Sequence, residues 1–198
     1  MINNKNDLSF YLERDRLADG YDGVKPNPFG SWPNRIWQYK IFLRKAEYYR
    51  NLNSKNILQR ISEKYYLYRY TSCGIKLGYT IPLNVVEEGL SLPHYGTIII
   101  NANSHIGKNC RIMAGVVIGS TNGTNIAAII GDNVYIGAGA KIIGNISIGD
   151  NTVIGANSVV TKNIGLNITV AGVPARKISD NSSFMNLSSS LDLLHKGE

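Results

Sequence analysis

Three histidines are the side chains of this 198-residue chain best suited to proton transfer near neutral pH. His94 stands in the segment SLPHYGTIII, residues 91–100. An imidazole there could accept the proton of a hydroxyl group as its oxygen attacks an activated carbonyl carbon. His105 takes a position that we interpret as a surface corner, and His195 lies in a polar tail. His94 is therefore the candidate general base.

The six-residue spacing of apolar residues distinguishes the position of His94. Steps of six residues backwards from Val160 to Ile100 fall on isoleucine at every position except Thr124, and the next step falls on His94. An ionisable group gives an apolar ladder no packing benefit, and local departures of this kind mark functional sites. The alternative is that the repeat ends here and His94 lies in a capping turn. The following steps favour that alternative, since they lose the register at Glu88, Pro82 and Lys76.

Hexapeptide repeats are the elements that must position this histidine. From residue 100 to 163 the chain divides into sixes such as IGDNVY, IGAGAK and IGDNTV, with a large apolar residue first and a small or apolar one fifth. Apolar residues at one place in successive coils stack about 4.8 Å apart, and glycine and asparagine supply tight turns. An α-helix would not tolerate so much glycine. The sequence predicts a β-helix of short parallel strands, whose hand the period alone does not give.

A basic stretch precedes the repeats. Residues 35–69 hold nine Lys or Arg and two Glu, a surplus equal to the net charge of +7 of the whole chain. Apolar and aromatic residues recur there at helical spacing, which predicts two amphipathic helices that break near residues 51–54. A loop rich in Pro, Gly and Asn is predicted before them, at 22–34. The stretch could contact an anionic membrane or an acidic glycan, but it carries no nucleic-acid-binding motif. The alternative is a solvated face whose aromatic side chains pack on a neighbouring element.

Composition and cysteine content narrow the class of protein. A hydrophobic content of 43% over 198 residues is enough for one main domain. Two cysteines, Cys73 and Cys110, do not make a disulfide framework, and the sequence shows neither a signal peptide nor an apolar membrane span. We therefore expect a cytoplasmic protein with reduced thiols. Cys110 is the fifth residue of its repeat, so core filling is expected of it rather than covalent catalysis.

The hexapeptides, the run IGDNVYIGAGAKIIGNISIGDNTVIGANSVVTKN and the closing VAGVPARKI resemble the left-handed β-helix acyltransferases. The serine acetyltransferase-like branch, which includes serine O-acetyltransferases and O-acetyltransferases of surface-polysaccharide sugars, is the most similar. The resemblance implies a mainly β fold, a left-handed parallel β-helix with an α-helical N-terminal region. The implied divisions are a loop and helical region at 1–70, a β-helix acyltransferase domain at 71–178 and a tail at 179–198. It further implies a homotrimer that binds acetyl-CoA between subunits, without a metal.

The resemblance also implies the role of His94. In this family the catalytic histidine stands twelve residues before the first residue of a hexapeptide, and His94 stands twelve before Ile106. The aspartate that precedes it in the serine enzymes is replaced here by Pro93, so Glu87 and Glu88 are the candidate carboxylates that orient the imidazole. A second histidine of the serine enzymes, in an inserted loop, has no counterpart in IGSTNGTNIAAIIGDN.

Contacts with acetyl-CoA are implied in the same way. Small residues would line the pantetheine arm, and basic residues would meet its phosphates. These residues are Gly119, Ser120, Gly137, Ala138, Gly139, Ala140, Ala156, Lys162, Arg176 and Lys177. Glycine and alanine are also what tight coils require, so their presence alone does not indicate a ligand.

The acceptor is expected to be a sugar hydroxyl. The segment GYTIPLNVVEEGLSLPHYGTIII is similar to the sugar O-acetyltransferases of surface-polysaccharide pathways, and a basic aromatic region suits an acidic glycan. We expect direct transfer from acetyl-CoA in a ternary complex, with L-serine as the alternative acceptor. An inactive trimeric scaffold and an N-acetyltransferase of nucleotide sugars are further alternatives. A carbonic anhydrase is disfavoured, because its metal site needs three histidines and the repeats offer two.

Overall fold

The computed structural model describes residues 1–21, 31–121, 123 and 125–187. Helices precede short strands, and a 3₁₀ turn, Ser183–Asn186, follows them. The helices are α1 Lys5–Ala18, α2 Trp32–Asn51 and α3 Ile57–Leu77. The strands are β1 Tyr79–Thr80, β2 Ile98–Ile100, β3 His105–Ile106, β4 Arg111–Ile112, β5 Val117–Gly119, β6 Ile129–Ile130, β7 Tyr135–Ile136, β8 Lys141–Ile143, β9 Ser147–Ile148, β10 Val153–Ile154, β11 Val159–Val160, β12 Thr169–Gly172 and β13 Ala175–Ser179. None of the described helices is long and apolar enough to cross a membrane.

The helices begin and end at residues suited to those places. The Asn4 side chain accepts a hydrogen bond from the backbone of Asp7 at the start of α1, and Asn56 and Gln59 form a reciprocal capping box at the start of α3. The break between α2 and α3 lies where the sequence predicts it. Helix α3 continues beyond residue 70, the predicted end of the helical region, and stops at Gly78, whose φ of 81° favours glycine.

The strands form three parallel sheets, and successive coils cross each sheet in turn. The first face consists of β1, β2, β5, β8 and β11, and the second of β3, β6 and β9. The third consists of β4, β7, β10 and β12, with β13 added antiparallel at the end. The first residues of the hexapeptides stack as predicted and are buried. Their ladders are Ile100–Ile118–Ile142–Val160, Ile106–Ile130–Ile148 and Ile112–Ile136–Ile154–Val170.

The repeat is less continuous than the sequence predicts. Ile118 pairs with Ile142 on the first face, while Ile130 pairs with Ile106 on the second. The chain therefore takes twelve residues to pass from the first face to the second between Ile118 and Ile130. The next coil takes six residues for the same passage, from Ile142 to Ile148. The six additional residues form an excursion between β5 and β6. Thr124, which the sequence places in the ladder, lies outside the described residues.

An asparagine ladder stabilises the corner between the second and third faces. Asn109, Asn133, Asn151 and Asn167 have φ values of 55–57°, in the left-handed region that asparagine tolerates. The Nδ2 atom of each donates to the Oδ1 atom of the next, at 3.0, 3.0 and 2.8 Å. Arg14 of α1 donates to Asn109 Oδ1 at 2.9 Å. The ladder thus links four coils to each other and to the helical region.

A network of charges is buried between α1, α2 and the first coil. Arg44 and Lys40 are 0% exposed. The Arg44 guanidinium lies 2.8 Å from Asp15 and 3.0 Å from Glu47, and Lys40 Nζ lies 2.6 Å from Asp19. Two of the nine basic residues at 35–69 are therefore internal and neutralised. The predicted solvated or polyanion-binding face does not include them.

The same network binds the free edge of the first coil. No coil precedes residues 84–92, so their backbone groups need other partners. Arg44 donates to the carbonyl oxygens of Val86 and Glu87 at 2.8 and 2.7 Å. Asp15 accepts from the Leu90 N–H at 2.8 Å, and Glu47 accepts from the Asn84 N–H at 2.8 Å. The helices therefore act as a polar cap on the β-helix.

The far end of the chain turns back along the coils. Strand β13 lies antiparallel to β12 and crosses the predicted boundary at residue 178. Ser183, in the predicted tail, is buried and its N–H donates to Asn151 O at 3.0 Å. The first part of the tail therefore docks on the β-helix, whereas residues 188–198, with His195, lie outside the described part of the chain.

Candidate active site

His94 lies in a corner of the first coil and not in the isoleucine ladder. Ser91 forms a bridge with Arg111, so Leu92 is the core residue that stacks on Ile112. From Leu92 to Ile100 the chain uses eight residues, whereas the next coil uses six between Ile112 and Ile118. The corner at 93–97 therefore holds two additional residues. Leu92 is buried and His94 exposed, because the longer corner bulges out of the coil.

Three elements hold this corner. The Tyr79 hydroxyl of β1 donates to the His94 carbonyl oxygen at 2.6 Å. Tyr79 is itself buried, with its ring edge against Tyr39 of α2 at 5.1 Å between centroids. Burial raises the pKa of Tyr79, so its hydroxyl stays a donor at neutral pH. On the other side of His94, the Gly96 N–H donates to Leu77 O, at the end of α3, at 2.9 Å.

Asp19 fixes the strand that leads into the corner. Its Oδ1 atom accepts from the Ser91 hydroxyl at 2.7 Å and from the Leu92 N–H at 3.1 Å. Lys40, which pairs with Asp19, donates to Leu90 O at 2.9 Å. The C-terminal end of α1 and the middle of α2 therefore set the backbone that carries His94.

A narrow edge of small residues extends from this corner along successive coils. It comprises the corners between the third and first faces, at 93–97, 113–116, 137–140 and 155–158. A Cβ atom on Gly96 would lie 3.1 Å from Ala114 Cβ, and one on Gly115 would lie 3.1 Å from Gly139 Cα. The Asn157 N–H donates to Ala138 O at 2.8 Å. His94 therefore stands at one end of an edge whose far coil lies about 14 Å away, at three coil spacings.

Five of the predicted acetyl-CoA contacts lie on this small-residue edge, but they differ in exposure. Ala138 and Ala156 are exposed, and Gly139 is partly so. Gly137 and Ala140 are buried, and the Ala140 side chain belongs to the core, so it is not available to a ligand. A Cβ atom on Gly137 would lie 2.6 Å from Ala156 N, so coil packing alone requires that glycine.

The other predicted contacts lie elsewhere in the chain. Gly119, Ser120 and Lys162 flank the opposite edge of the first face, where Asn101 Nδ2 donates to Ser120 Oγ at 3.4 Å. Arg176 and Lys177 are exposed on β13, and Lys177 pairs with Asp180. A single chain therefore does not bring all the predicted contacts together.

Glu87 and Glu88 have partners other than His94 among the contacts of the described side chains. Glu87 Oε1 lies 3.7 Å from His105 Nε2, and Glu88 Oε1 lies 3.3 Å from Lys108 Nζ. Both glutamates follow Val86 of the second face, whereas His94 follows the third face. These contacts give no support to the prediction that either carboxylate orients the imidazole.

Cys110 is buried in the core, as expected of a fifth hexapeptide residue. Its thiol donates to Gly131 O at 3.2 Å. Burial raises the pKa of Cys110 to about 12, so the nucleophilic thiolate is scarce at neutral pH. Within the described residues, no three His, Cys, Asp or Glu side chains form a group that could hold a metal ion.

Sequence reasoning missed several residues that build the corner and the edge. Asp15 and Asp19 are four residues apart, as are Lys40 and Arg44, and this matched helical spacing of opposite charges is the signal that could have found the buried network. Ala114 and Gly115 occupy the same places in IMAGVV as Ala138 and Gly139 in IGAGAK. Lys141, which donates to Gly115 O at 2.6 Å and Gly139 O at 2.8 Å, shows no signal in the sequence.

Known protein families and relatives share these coils. Residues 127–162 match the family described as bacterial transferase hexapeptide (six repeats), and residues 98–120 match the hexapeptide repeat of succinyl-transferase. Serine acetyltransferase of Buchnera aphidicola subsp. Schizaphis graminum is 38% identical over 122 residues, 59% of this chain and 47% of that protein. Serine acetyltransferase of Escherichia coli strain K12 is 36% identical over 104 residues, 52% of this chain and 38% of that protein. The chain thus spans less than half the length of both relatives.

Solved structures extend the similarity to the helical region. Serine acetyltransferase from Brucella abortus strain S19 has a TM-score of 0.66 and 26% identity, covering 90% of this chain and 72% of that chain. Its complex with coenzyme A has a TM-score of 0.65 and 27% identity, covering 90% of this chain and 70% of that chain. Both matches cover more of this chain than the hexapeptides alone.

The prediction of a sugar acceptor is wrong. These relatives and solved structures are serine acetyltransferases, and they support the alternative acceptor in its place. The physical error was to infer an acceptor from the charge of the basic stretch, part of which is internal. Lys40 and Arg44 are buried against carboxylates and cap the first coil instead.

Hexapeptide matches, three parallel sheets and the helices ahead of them agree on one architecture. The chain has the hexapeptide-repeat acyltransferase fold, a left-handed β-helix with an α-helical N-terminal region.

Proposed function

We propose that this protein is a serine O-acetyltransferase, which transfers the acetyl group of acetyl-CoA to the hydroxyl of L-serine. The observation that carries the proposal is the similarity to serine acetyltransferases across the coils that include the His94 corner and the small-residue edge. An exposed imidazole at the end of that edge supplies the acid–base group that hydroxyl acylation requires.

His94 is the general base of this proposal. Its imidazole accepts the proton of the serine hydroxyl as the oxygen attacks, and it returns that proton to the sulfur that leaves. His94 thus acts first as the base and then as the acid, so the mechanism requires no second acidic residue. Tyr79 and Asp19 are positioning residues: the first binds the His94 carbonyl oxygen, and the second binds the backbone two residues earlier.

Acetyl-CoA supplies an acetyl group already activated as a thioester. The exposed Ala138 and Ala156, with Gly139, would lie along its pantetheine arm, where the absence of larger side chains leaves the backbone accessible. Lys162 and Arg176 would meet the phosphates. Because Gly119, Ser120 and Lys162 flank another edge of the coil, we propose that the groove forms between subunits of a homotrimer, with one edge from each.

Thiol release from acetyl-CoA, measured with a panel of acceptors, tests this function. We expect turnover with L-serine and the mass of O-acetylserine in the product. Neutral glycans, acidic glycans and amino sugars should give only the background rate of hydrolysis. Turnover on an amino sugar without turnover on L-serine would contradict the proposal, as would the absence of thiol release with every acceptor.

A further inference from the structure

Helix α3 carries an apolar stripe on the side that faces away from the rest of the protein. Its large side chains are 47–76% exposed, and they recur at helical spacing along about 27 Å of the helix. The members are Ile57, Leu58, Ile61, Tyr65, Tyr68 and Ile75. An exposed apolar stripe of this length is unusual for a surface in contact with water alone, and it indicates an interaction site.

Basic residues border the stripe on both sides. At 100° per residue, Arg60 and Lys64 lie along one border, and Arg69 and Lys76 lie along the other. The Arg69 guanidinium is held in place by the Phe42 ring, 4.5 Å from its centroid. The cations therefore frame the apolar residues over the length of the helix.

Acidic groups are almost absent from this face. Glu63 is the one carboxylate in the sequence of α3, and it already pairs with Arg50 at 2.9 Å and with Lys55 at 2.8 Å. The charge of Glu63 is therefore neutralised by ion pairs within the protein. The face presents a surplus of positive charge around an apolar centre.

Basic cavities lie beside the N-terminal half and beside the C-terminal half of α3. One has a volume of about 190 Å³ and is lined by Arg35, Arg69 and Lys76. Another has a volume of about 650 Å³, and its lining includes Arg60 and Lys64 together with the carboxylate of Glu63. Neither cavity is lined by a residue of the stripe itself, but each contains cations that border it and that could meet a phosphate group.

We propose that the exposed face of α3 binds the surface of an anionic lipid bilayer. The apolar stripe inserts at the boundary between headgroups and acyl chains, and the bordering cations bind lipid phosphates, as in other amphipathic helices that lie in the membrane plane. Charge decides between this occupant and a second copy of the chain. Two copies of the stripe packed on each other would bring cations against cations, whereas an anionic leaflet complements them.

Cosedimentation of the full chain with lipid vesicles tests the proposal. Binding is expected to vesicles of phosphatidylcholine mixed with phosphatidylglycerol at low salt, and it should weaken at high salt as the charges are screened. Vesicles of phosphatidylcholine alone should bind much less. The double variant Ile61→Ser/Ile75→Ser and the variant Lys64→Glu should each lower the apparent affinity by about tenfold.

Matched control variants distinguish binding through this face from nonspecific adsorption to the vesicles. Leu166→Ser/Ile178→Ser removes apolar side chains that are as exposed but lie on the β-helix and on β13, and Lys5→Glu reverses an exposed charge on α1. Both controls should bind as the wild type does. Absence of binding to anionic vesicles, or equal loss in the controls, would overturn the proposal. So would a smaller particle mass of Ile61→Ser/Ile75→Ser without lipid, since that would assign the stripe to contact between copies.

Discussion

The burial of Cys110 distinguishes direct acetyl transfer from covalent transfer through a cysteine. Cys110 is the one cysteine in the coils, and covalent transfer through it would need a thiolate that reaches the substrate. Its side chain is buried, and burial raises its pKa to about 12. The proton therefore stays on sulfur near neutral pH in the folded protein. Unfolding removes the burial and returns the pKa towards the ordinary value of about 8.5, which raises the thiolate fraction.

Cys110 should therefore be unreactive and dispensable. In a Cys73→Ser background, we expect no modification of Cys110 by a thiol reagent at pH 8 in the native protein, and rapid modification in urea. Cys110→Ala should keep the wild-type kcat for acetyl transfer. Rapid native modification, together with loss of turnover in Cys110→Ala, would instead indicate a covalent intermediate.

At the scale of elements, the helices and the first coil depend on one buried ionic network. Burial alone would lower the pKa of Arg44, but Asp15 and Glu47 raise it above its usual range. The guanidinium also binds two backbone carbonyl oxygens of the coil edge. Removing it would leave two buried carboxylates without their cation and two carbonyl groups without a donor.

Arg44→Ala should therefore destabilise the fold by about 3–5 kcal/mol, the usual cost of breaking a buried ion pair by removing one partner. Arg50→Ala is the matched control, because Arg50 pairs with Glu63 while half exposed, and it should cost about 0–1 kcal/mol. Urea unfolding at one protein concentration measures both. If Arg44→Ala does not fold, Arg44→Lys keeps the charge and should show a smaller loss. Equal stability of the Arg44 and Arg50 variants would contradict the account of the polar cap.

At the scale of the whole molecule, the hexapeptide period predicts most of the β-helix because each coil repeats one set of requirements. A large apolar residue must point inward, and glycine or asparagine must turn the corner. The period also predicts a candidate base, His94, but for an incomplete reason. The sequence places this residue in the ladder, whereas Leu92 occupies the core and two additional residues lift His94 out of it.

The hexapeptide period does not predict features that depend on contacts between residues far apart in the sequence. The Asp15–Arg44 and Asp19–Lys40 pairs join residues more than twenty positions apart, so composition alone counted these cations as surface charge. The six additional residues between β5 and β6 have a composition that fits a hexapeptide, so the sequence counts them as part of the repeat. Strand pairing shows that they add no coil position, because Ile118 pairs with Ile142 and Ile130 pairs with Ile106. The period specifies how the coils pack, and it carries no information about the acceptor.

Steady-state acetyl transfer to L-serine by His94→Ala, compared with His105→Ala, tests the central claim most directly. Both histidines are exposed on the β-helix, but His94 lies at the end of the small-residue edge, while His105 lies 3.7 Å from Glu87 on the second face. We expect His94→Ala to lower kcat by about 10²–10⁴-fold, the contribution of a general base, and His105→Ala to retain wild-type kcat. Wild-type turnover in His94→Ala, with an unchanged thermal unfolding midpoint, would contradict the assignment of His94 as the base.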